Sequence, residues 1–360
     1  MPEPAPGQFS LMKTVTNLYT KVCSFDNLKD AYFLARKHKT SVRSVQEFHE
    51  HWQLYLVQLM KELRNKTYSP LPLRTFVLRD PKTRTICASA FRDRVVHHAL
   101  VNVLKPVFEP RFIHDSYASR VGKGTLPAIE RLKVFMRQVT ENGTQAPYAT
   151  GGNHVRSFVL KADIYHYFES VDHQTLLEIV NRHVLDKDVL WLIKLILQNF
   201  SKGKANTGMP LGNWTSQFFA NVYLNELDQF VKHTLKAKYY IRYVDDFVIL
   251  HTSEDVLRLY QQQIKEFLQT LKLTLHPQKC VIKPLRRGIS FLGYTLFYKY
   301  TRVRTRNIRK IKNRLQELLA DYRLNNADAT AVLNVLQGWC AYSQHANTYN
   351  LRKKISQQVL

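Results

Sequence analysis

Two adjacent carboxylates, Asp245 and Asp246, stand in the stretch Tyr240-Ile241-Arg242-Tyr243-Val244-Asp245-Asp246-Phe247-Val248-Ile249-Leu250, between apolar, β-branched and aromatic flanks. The flanks have the composition of two short strands, with the Val-Asp-Asp-Phe step as the tight connection between them. Carboxylates held that close either take up a proton or gather around a cation, and oxygen ligands favour a hard ion such as magnesium. The same pair also suits a plain polar turn, where aspartate is common. A third carboxylate, Asp163, sits near the end of Ser157-Phe158-Val159-Leu160-Lys161-Ala162-Asp163-Ile164, which reads as a buried strand. Three strand-borne carboxylates are the minimum that clamps two divalent ions. Ions roughly 3.5–4 Å apart can activate an attacking oxygen and stabilise a leaving one in phosphoryl transfer.

Other residues fit the same chemistry. Phe168 follows Asp163 by five residues, where a rigid ring would press on a nucleotide sugar and reject a 2′-hydroxyl by size; core packing is the alternative. Lys279, in His276-Pro277-Gln278-Lys279, is placed to protonate a leaving pyrophosphate or hold its charge, or else is a solvated lysine. Asp115-Ser116-Tyr117-Ala118-Ser119-Arg120-Val121-Gly122-Lys123-Gly124 precedes an amphipathic helix, so two glycines and two basic residues near its start form a phosphate cradle or a plain turn.

The totals narrow the partners. The 360 residues carry 53 Lys and Arg against 28 Asp and Glu, a formal charge of +25. A chain that basic repels itself unless a polyanion neutralises it, and a phosphate backbone is the usual one. The charge is interleaved with 19 Tyr, 19 Phe and 4 Trp, which suits a groove with stacking surfaces. Cys23, Cys87, Cys280 and Cys340 are too dispersed for a zinc motif or a disulfide framework and point to a reducing compartment. No apolar run is long enough to span a bilayer and the start lacks a signal-peptide pattern, so a soluble, unsecreted protein is expected, with no membrane partner.

The elements that must position these residues are legible in outline. After the proline-rich lead Met1–Gly7, the apolar set Val45, Phe48, Trp52, Tyr55, Leu56, Leu59 and Leu63 predicts one helix. Residues 74–87 alternate around Asp80-Pro81-Lys82-Thr83 as a basic hairpin, and a helix begins at Arg92 and is closed by Pro106. Residues 141–157 read as an exposed loop. Helices are expected over 174–184, 189–200, 214–235 and 254–271, with a strand around 273–275 and a strand pair over 288–296. Residues 299–360 read as a small basic helical domain.

The ordered run Phe91-Arg92-Asp93-Arg94, Asp115–Arg120 with Gly122-Lys123-Gly124, Ala162-Asp163 with Phe168, Tyr243-Val244-Asp245-Asp246, His276–Lys279 and Phe291-Leu292-Gly293-Tyr294 resembles a reverse transcriptase over about residues 70–360. The resemblance implies an α+β right-hand polymerase, its fingers and palm an antiparallel sheet packed on helices and its thumb small and helical. It implies a helical extension of the fingers over 1–70, fingers and palm over 71–298 and the thumb over 299–360. It implies two Mg2+ ions on Asp163, Ile164, Asp245 and Asp246, with Lys279 as a further catalytic group. Arg92, Arg94, Arg120, Lys123, Phe168 and Gln217 would hold the deoxynucleoside triphosphate. An RNA template and a DNA or RNA primer complete the substrates.

Most bacterial reverse transcriptases resemble one another in a Gln-Gly-x-x-x-Ser-Pro pattern. Here Leu211-Gly212-Asn213-Trp214-Thr215-Ser216-Gln217 has Leu for the Gln and Gln217 for the Pro. That variant, with Ala341–Tyr349 near the end, is similar to the enzymes of diversity-generating retroelements. The resemblance implies cDNA synthesis with errors at template adenines, mutagenic retrohoming, a basic oligomeric accessory variability protein as partner, and a bacterial or phage-infected cytoplasm. Leu211, Gly212, Asn213, Ser216 and Gln217 would form the loop under the templating base. A retron-type or group II intron-like enzyme of ordinary fidelity is the alternative within the family. A catalytically silent RNA-binding relative is the alternative outside enzymes, although its signature, a lost aspartate, is absent.

Overall fold

The computed structural model describes residues 16–79, 83–143, 155–200, 205–324, 326 and 328–358. The lead Met1–Gly7, the turn residues Asp80, Pro81 and Lys82, and residues 144–154 of the expected loop lie outside them. In chain order the elements are α1 (Leu18–Val22), α2 (Phe25–Arg36), α3 (Arg43–Glu50), α4 (Trp52–Arg64), β1 (Arg74–Leu78), β2 (Arg84–Ala88), α5 (Phe91–Phe108) and α6 (Thr125–Val139). Then come β3 (Phe158–Asp163), α7 (Tyr167–Ser170), α8 (His173–Asn181), α9 (Lys187–Gln198), α10 (Trp214–Gln229), β4 (Tyr239–Tyr243), β5 (Asp246–His251) and α11 (Glu254–Thr270). The chain continues through β6 (Val281–Pro284), β7 (Ile289–Phe291), β8 (Tyr294–Leu296), β9 (Thr301–Val303), α12 (Thr305–Arg323), α13 (Ala329–Ser343) and α14 (Tyr349–Gln357).

The described residues fall into two compact units. The first takes those within Met1–Ser119, Asp163–Lys236 and Gln263–Pro277, the second those within Arg120–Ala162, Ala237–Gln262 and Gln278–Leu360. The division therefore passes through β3, just before its last residue.

The first unit is mainly helical. Side-chain caps fix several helix starts: Ser24 accepts from the Asn27 amide at α2, Asp172 from Thr175 at α8, and Asp186 from Asp188 and Val189 at α9. Helix α5 packs against α2 and α10. Its His98 stacks on Trp214 of α10, centroids 5.9 Å apart and rings 12° from parallel. Burial, then the Lys39 charge, brings the His98 imidazole down to about 4, so it packs as a neutral ring. Helix α10 is buried nearly all round, the mark of a central helix.

The second unit holds two antiparallel sheets. One has the strand order β4-β5-β3-β6, the other β7-β8-β9. Helix α6 lies against β4 and β5, and α12 packs with α13, which contacts α14. No helix among the described residues is long and apolar enough to cross a membrane.

Several expectations shift in detail. The helix expected over 45–63 is two, α3 and α4, because His51 leaves helical geometry (φ −129°, ψ 31°) while apolar residues on both sides face one core. Pro106 lies inside α5 rather than ending it, and the buried Val107 and Phe108 hold the last turn. The strand expected around 273–275 is an isolated bridge between Ile164 and Leu275. The expected boundary at 298/299 falls between β8 and β9 of one sheet. The buried-exposed-buried run Thr301-Arg302-Val303 carries the strand signal there.

Candidate active site

The acidic pair lies at a hairpin tip in the second unit. Tyr243 pairs with Asp246 across β4 and β5, which leaves Val244-Asp245 as a two-residue turn. Val244 has φ +55° while Asp245 is not among the positive-φ residues, the φ signs of a type II′ turn. That turn wants glycine at its first central position. A β-branched residue there costs about 1–3 kcal/mol, and backbone strain of this kind concentrates at functional sites. Polar contacts brace the tip. Arg242 Nη1 donates to the Val244 carbonyl at 3.0 Å. The Tyr243 hydroxyl lies 3.3 Å from Thr125 Oγ1, the first residue of α6. Lys161 Nζ donates to Asp246 Oδ2 at 3.0 Å, with side-chain exposures of 25% and 21%.

Lys161 is close to the third acid in sequence. It lies on β3, beside β5 in the sheet. Asp163 follows Lys161 by two residues and is the last residue of β3. The surrounding potential is positive. Burial first, then Lys161 and Arg287, hold the Lys283 ammonium on β6 below the ordinary lysine range.

Within the first unit, the chain leaving β3 is fixed by main-chain bonds. The His276 amide donates to the Asp163 carbonyl at 2.7 Å and the Tyr165 amide to the Thr274 carbonyl at 2.8 Å, on either side of the Ile164–Leu275 bridge. Phe168 lies on α7, half-buried, 5.4 Å edge-on from Tyr167, and its carbonyl accepts from the Met209 amide. The ring is thus neither lost in the core nor free to swing. In the second unit Lys279 is exposed and the Lys123 amide bonds back to the Arg120 carbonyl.

The loop over 211–217 is built tightly. The Leu211 carbonyl accepts from the Cys87 amide at 3.2 Å, and a Cβ on Gly212 (φ +113°) would stand 2.9 Å from Ile86 Cγ2. Only glycine suits both the dihedral and the space. Asn213, buried, accepts from the Ser89 amide at 3.3 Å. Gln217 is exposed and accepts from the Ser119 hydroxyl at 3.0 Å, whereas Ser216 is buried in α10.

The Arg92–Arg94 block turns inward more than expected. Arg92 is committed to Glu62, stands 3.6 Å from Asp93, and covers the Tyr68 ring. Asp93 is fully buried, accepting from Tyr68 Oη at 2.8 Å and the Leu71 amide at 2.9 Å. Burial raises its carboxyl despite these donors. Arg94 Nε donates to the Ser89 carbonyl at 2.9 Å. Arg92 and Asp93 therefore form a scaffold for Tyr68 and the start of the hairpin. Asp93→Ala should lower stability by about 1–3 kcal/mol, since it strands the buried Tyr68 hydroxyl and removes the acceptor of the part-buried Leu71 amide. Denaturant unfolding checks this, and an unchanged midpoint would contradict it.

Sequence reasoning misses Lys161, Arg242 and Thr125. Lys161 is readable as the residue two before Asp163. Buried Arg242 interrupts an apolar strand, a signal that ordinary basic composition masks.

The donor set fits magnesium. Among the described residues no three His, Cys, Asp or Glu side chains gather tightly enough to make a metal cage. Magnesium in nucleotidyl-transfer sites uses one or two carboxylates, waters and substrate phosphates rather than such a cage. Asp246 already takes a cation, the Lys161 ammonium, and Ile164 can offer only its main-chain oxygen.

Known proteins match along this same stretch. Residues 79–296 match the family described as reverse transcriptase (RNA-dependent DNA polymerase), more than half of the chain, and the chain belongs to that family. It is similar to Protein YkfC of Escherichia coli K12, 27% identical over 284 residues, which span 68% of this chain and 71% of that protein. It is also similar to the group II intron-encoded protein LtrA of Lactococcus lactis, 24% identical over 310 residues, covering 66% of this chain and 49% of LtrA. The chain thus matches only about half the length of LtrA. A solved telomerase from Candida albicans, in complex with a fragment of telomeric RNA, is similar over 82% of this chain and 57% of that one, at 12% identity and a TM-score of 0.48. The mixed helical and antiparallel-sheet architecture is the one expected of a right-hand polymerase.

Proposed function

We propose that this chain copies an RNA template into cDNA by nucleotidyl transfer at Asp163, Asp245 and Asp246. The carrying observation is the acidic pair on a strained two-residue hairpin braced by Lys161 and Arg242, within the span that matches the reverse transcriptase family. Bound divalent ions would supply charge neutralisation for the primer oxygen and the leaving pyrophosphate. The chain's own residues do the rest. Asp245 and Asp246 orient those ions, Phe168 presses on the sugar of the incoming nucleotide, and Arg94, Arg120 and Lys123 are the basic groups offered to its triphosphate. Arg92, held by Glu62, serves them indirectly. Lys279 is the proposed proton donor to pyrophosphate. In this reading residues 71–298 are fingers and palm, 299–360 the thumb and 1–70 an extension of the fingers.

Lys161 occupies the position of an internal counter-ion. Lys161→Met should raise Mg2+ affinity at the pair by about two- to fivefold, the scale of a partly exposed ion pair. Titrating Mg2+ against primer extension, with Mn2+ binding measured alongside, reads this out; unchanged affinity would remove Lys161 from the site.

The finer reading is a diversity-generating retroelement enzyme, with errors at template adenines and a basic oligomeric accessory protein as partner. Leu211 and Gln217, in place of Gln and Pro, support it. Altered side chains beneath a templating base loosen base-pair checking. A group II intron-like enzyme of ordinary fidelity is the second reading, favoured by the similarity to LtrA. Copying an adenine-bearing RNA and sequencing the cDNA separates them. The retroelement reading predicts substitutions concentrated opposite adenine, and uniform accuracy would overturn it.

A further inference from the structure

We infer that Arg242 is a positioning residue that holds the strained hairpin tip in the one peptide orientation that presents Asp245 and Asp246. The inference rests on the polymerase reading, since it concerns the same carboxylates. Arg242 is the largest wholly buried side chain among the described residues, at 0% exposure, on β4 opposite Phe247 of β5. A guanidinium is among the groups least often buried. Here it reaches past the end of its strand, two residues on in the chain, and donates Nη1 to the Val244 carbonyl at 3.0 Å.

That carbonyl belongs to the central peptide of the turn. Its direction separates a type II′ hairpin from the alternative I′, whose second central residue also takes positive φ. With glycine at position 244 the turn would need no help. With valine at φ +55° it is strained; opening of the tip relieves that strain, whereas a flip of the central peptide keeps positive φ at Val244 and adds it at Asp245. Either movement re-aims Asp245, the second turn residue, and shifts Asp246, the first residue of β5. A fixed guanidinium under the carbonyl opposes both. Lysine could not replace it, because its single ammonium lacks the planar fork that keeps one donor aimed while the others bond elsewhere.

The test is a double-mutant cycle on the full chain with Arg242→Lys, Val244→Gly and the double variant. Three readouts are compared: thermal melting without metal, Mn2+ affinity by electron paramagnetic resonance without nucleic acid, and single-turnover nucleotide addition with separate kcat and KM. Arg242→Lys should weaken Mn2+ binding about tenfold and lower kcat at least tenfold, with KM for primer–template unchanged within twofold. Adding Val244→Gly to the Arg242→Lys chain should recover most of both losses by removing the strain that Arg242 opposes. If Arg242→Lys costs as much with Val244→Gly as without it, the inference is overturned. An Arg242→Lys protein with wild-type Mn2+ affinity and kcat overturns it as well. Should Arg242→Lys fail to fold, the double variant is expected to regain a cooperative melt, and its failure to do so also overturns the inference. If the wild-type chain neither binds Mn2+ nor extends a primer, the polymerase reading itself has failed, a distinguishable outcome.

Discussion

Asp245→Ala and Asp246→Ala are each expected to reduce primer extension by at least about a thousandfold while leaving RNA affinity within a few-fold of wild type. The two properties have different sources. Catalysis draws several kcal/mol from charge neutralisation at the reacting phosphate, and each ~1.4 kcal/mol is a factor of ten in rate. Affinity is expected from the chain's net charge of +25 acting on phosphates, which one carboxylate barely alters. Asp246→Ala should have a second consequence, because it leaves the Lys161 ammonium without that acceptor and makes the sheet face more positive. RNA binding by this variant should therefore be equal or slightly tighter, not weaker. Extension and binding measured on one preparation check both halves. Retained extension rejects the metal assignment, and lost RNA binding points to a collapsed fold.

The second large effect is expected at Phe168. Its ring is half-buried and steadied edge-on by Tyr167, and the backbone beneath is tied to Met209. A ring so held excludes by shape, and a steric filter of that kind is worth ~1–3 kcal/mol, or about 10- to 200-fold in discrimination. Phe168→Val should raise incorporation of ribonucleotides relative to deoxyribonucleotides by about tenfold or more, with deoxynucleotide addition much less changed. Competition between the two nucleotide types in single-turnover assays reads the ratio. An unchanged ratio would return Phe168 to a packing role.

What can be read from residues alone divides along physical lines. The hairpin over 239–251, strand 158–163 and helix 125–139 are legible because alternation or helical spacing coincides with turn residues at their ends. The short strand β9 escapes because Arg302 and Arg304 resemble a helix's basic approach, and at three residues its alternation is weak. The break at His51 escapes because both flanking helices bury their apolar residues in one core, so the pattern runs on unbroken. At the site, the aspartates announce themselves by type. Which basic groups are spent internally is not legible: Arg92 and Arg94 look alike in sequence, and only packing commits Arg92 to Glu62. Arg242 and Lys161 are hidden for the opposite reason. Among 53 basic residues, Arg242 is set apart by burial and Lys161 by its place on β3 rather than by type.

The central claim is that Asp163 and the Asp245–Asp246 pair share metal, and localised cleavage tests it most directly. Replacing Mg2+ with Fe2+ in the presence of ascorbate and peroxide cuts the backbone within a few ångströms of the bound ion. Two sets of cuts are predicted, around residue 163 and around residues 244–246, both suppressed by excess Mg2+ and both lost in Asp245→Ala. Cuts confined to one of these segments, or scattered along the chain and indifferent to Mg2+, would contradict it.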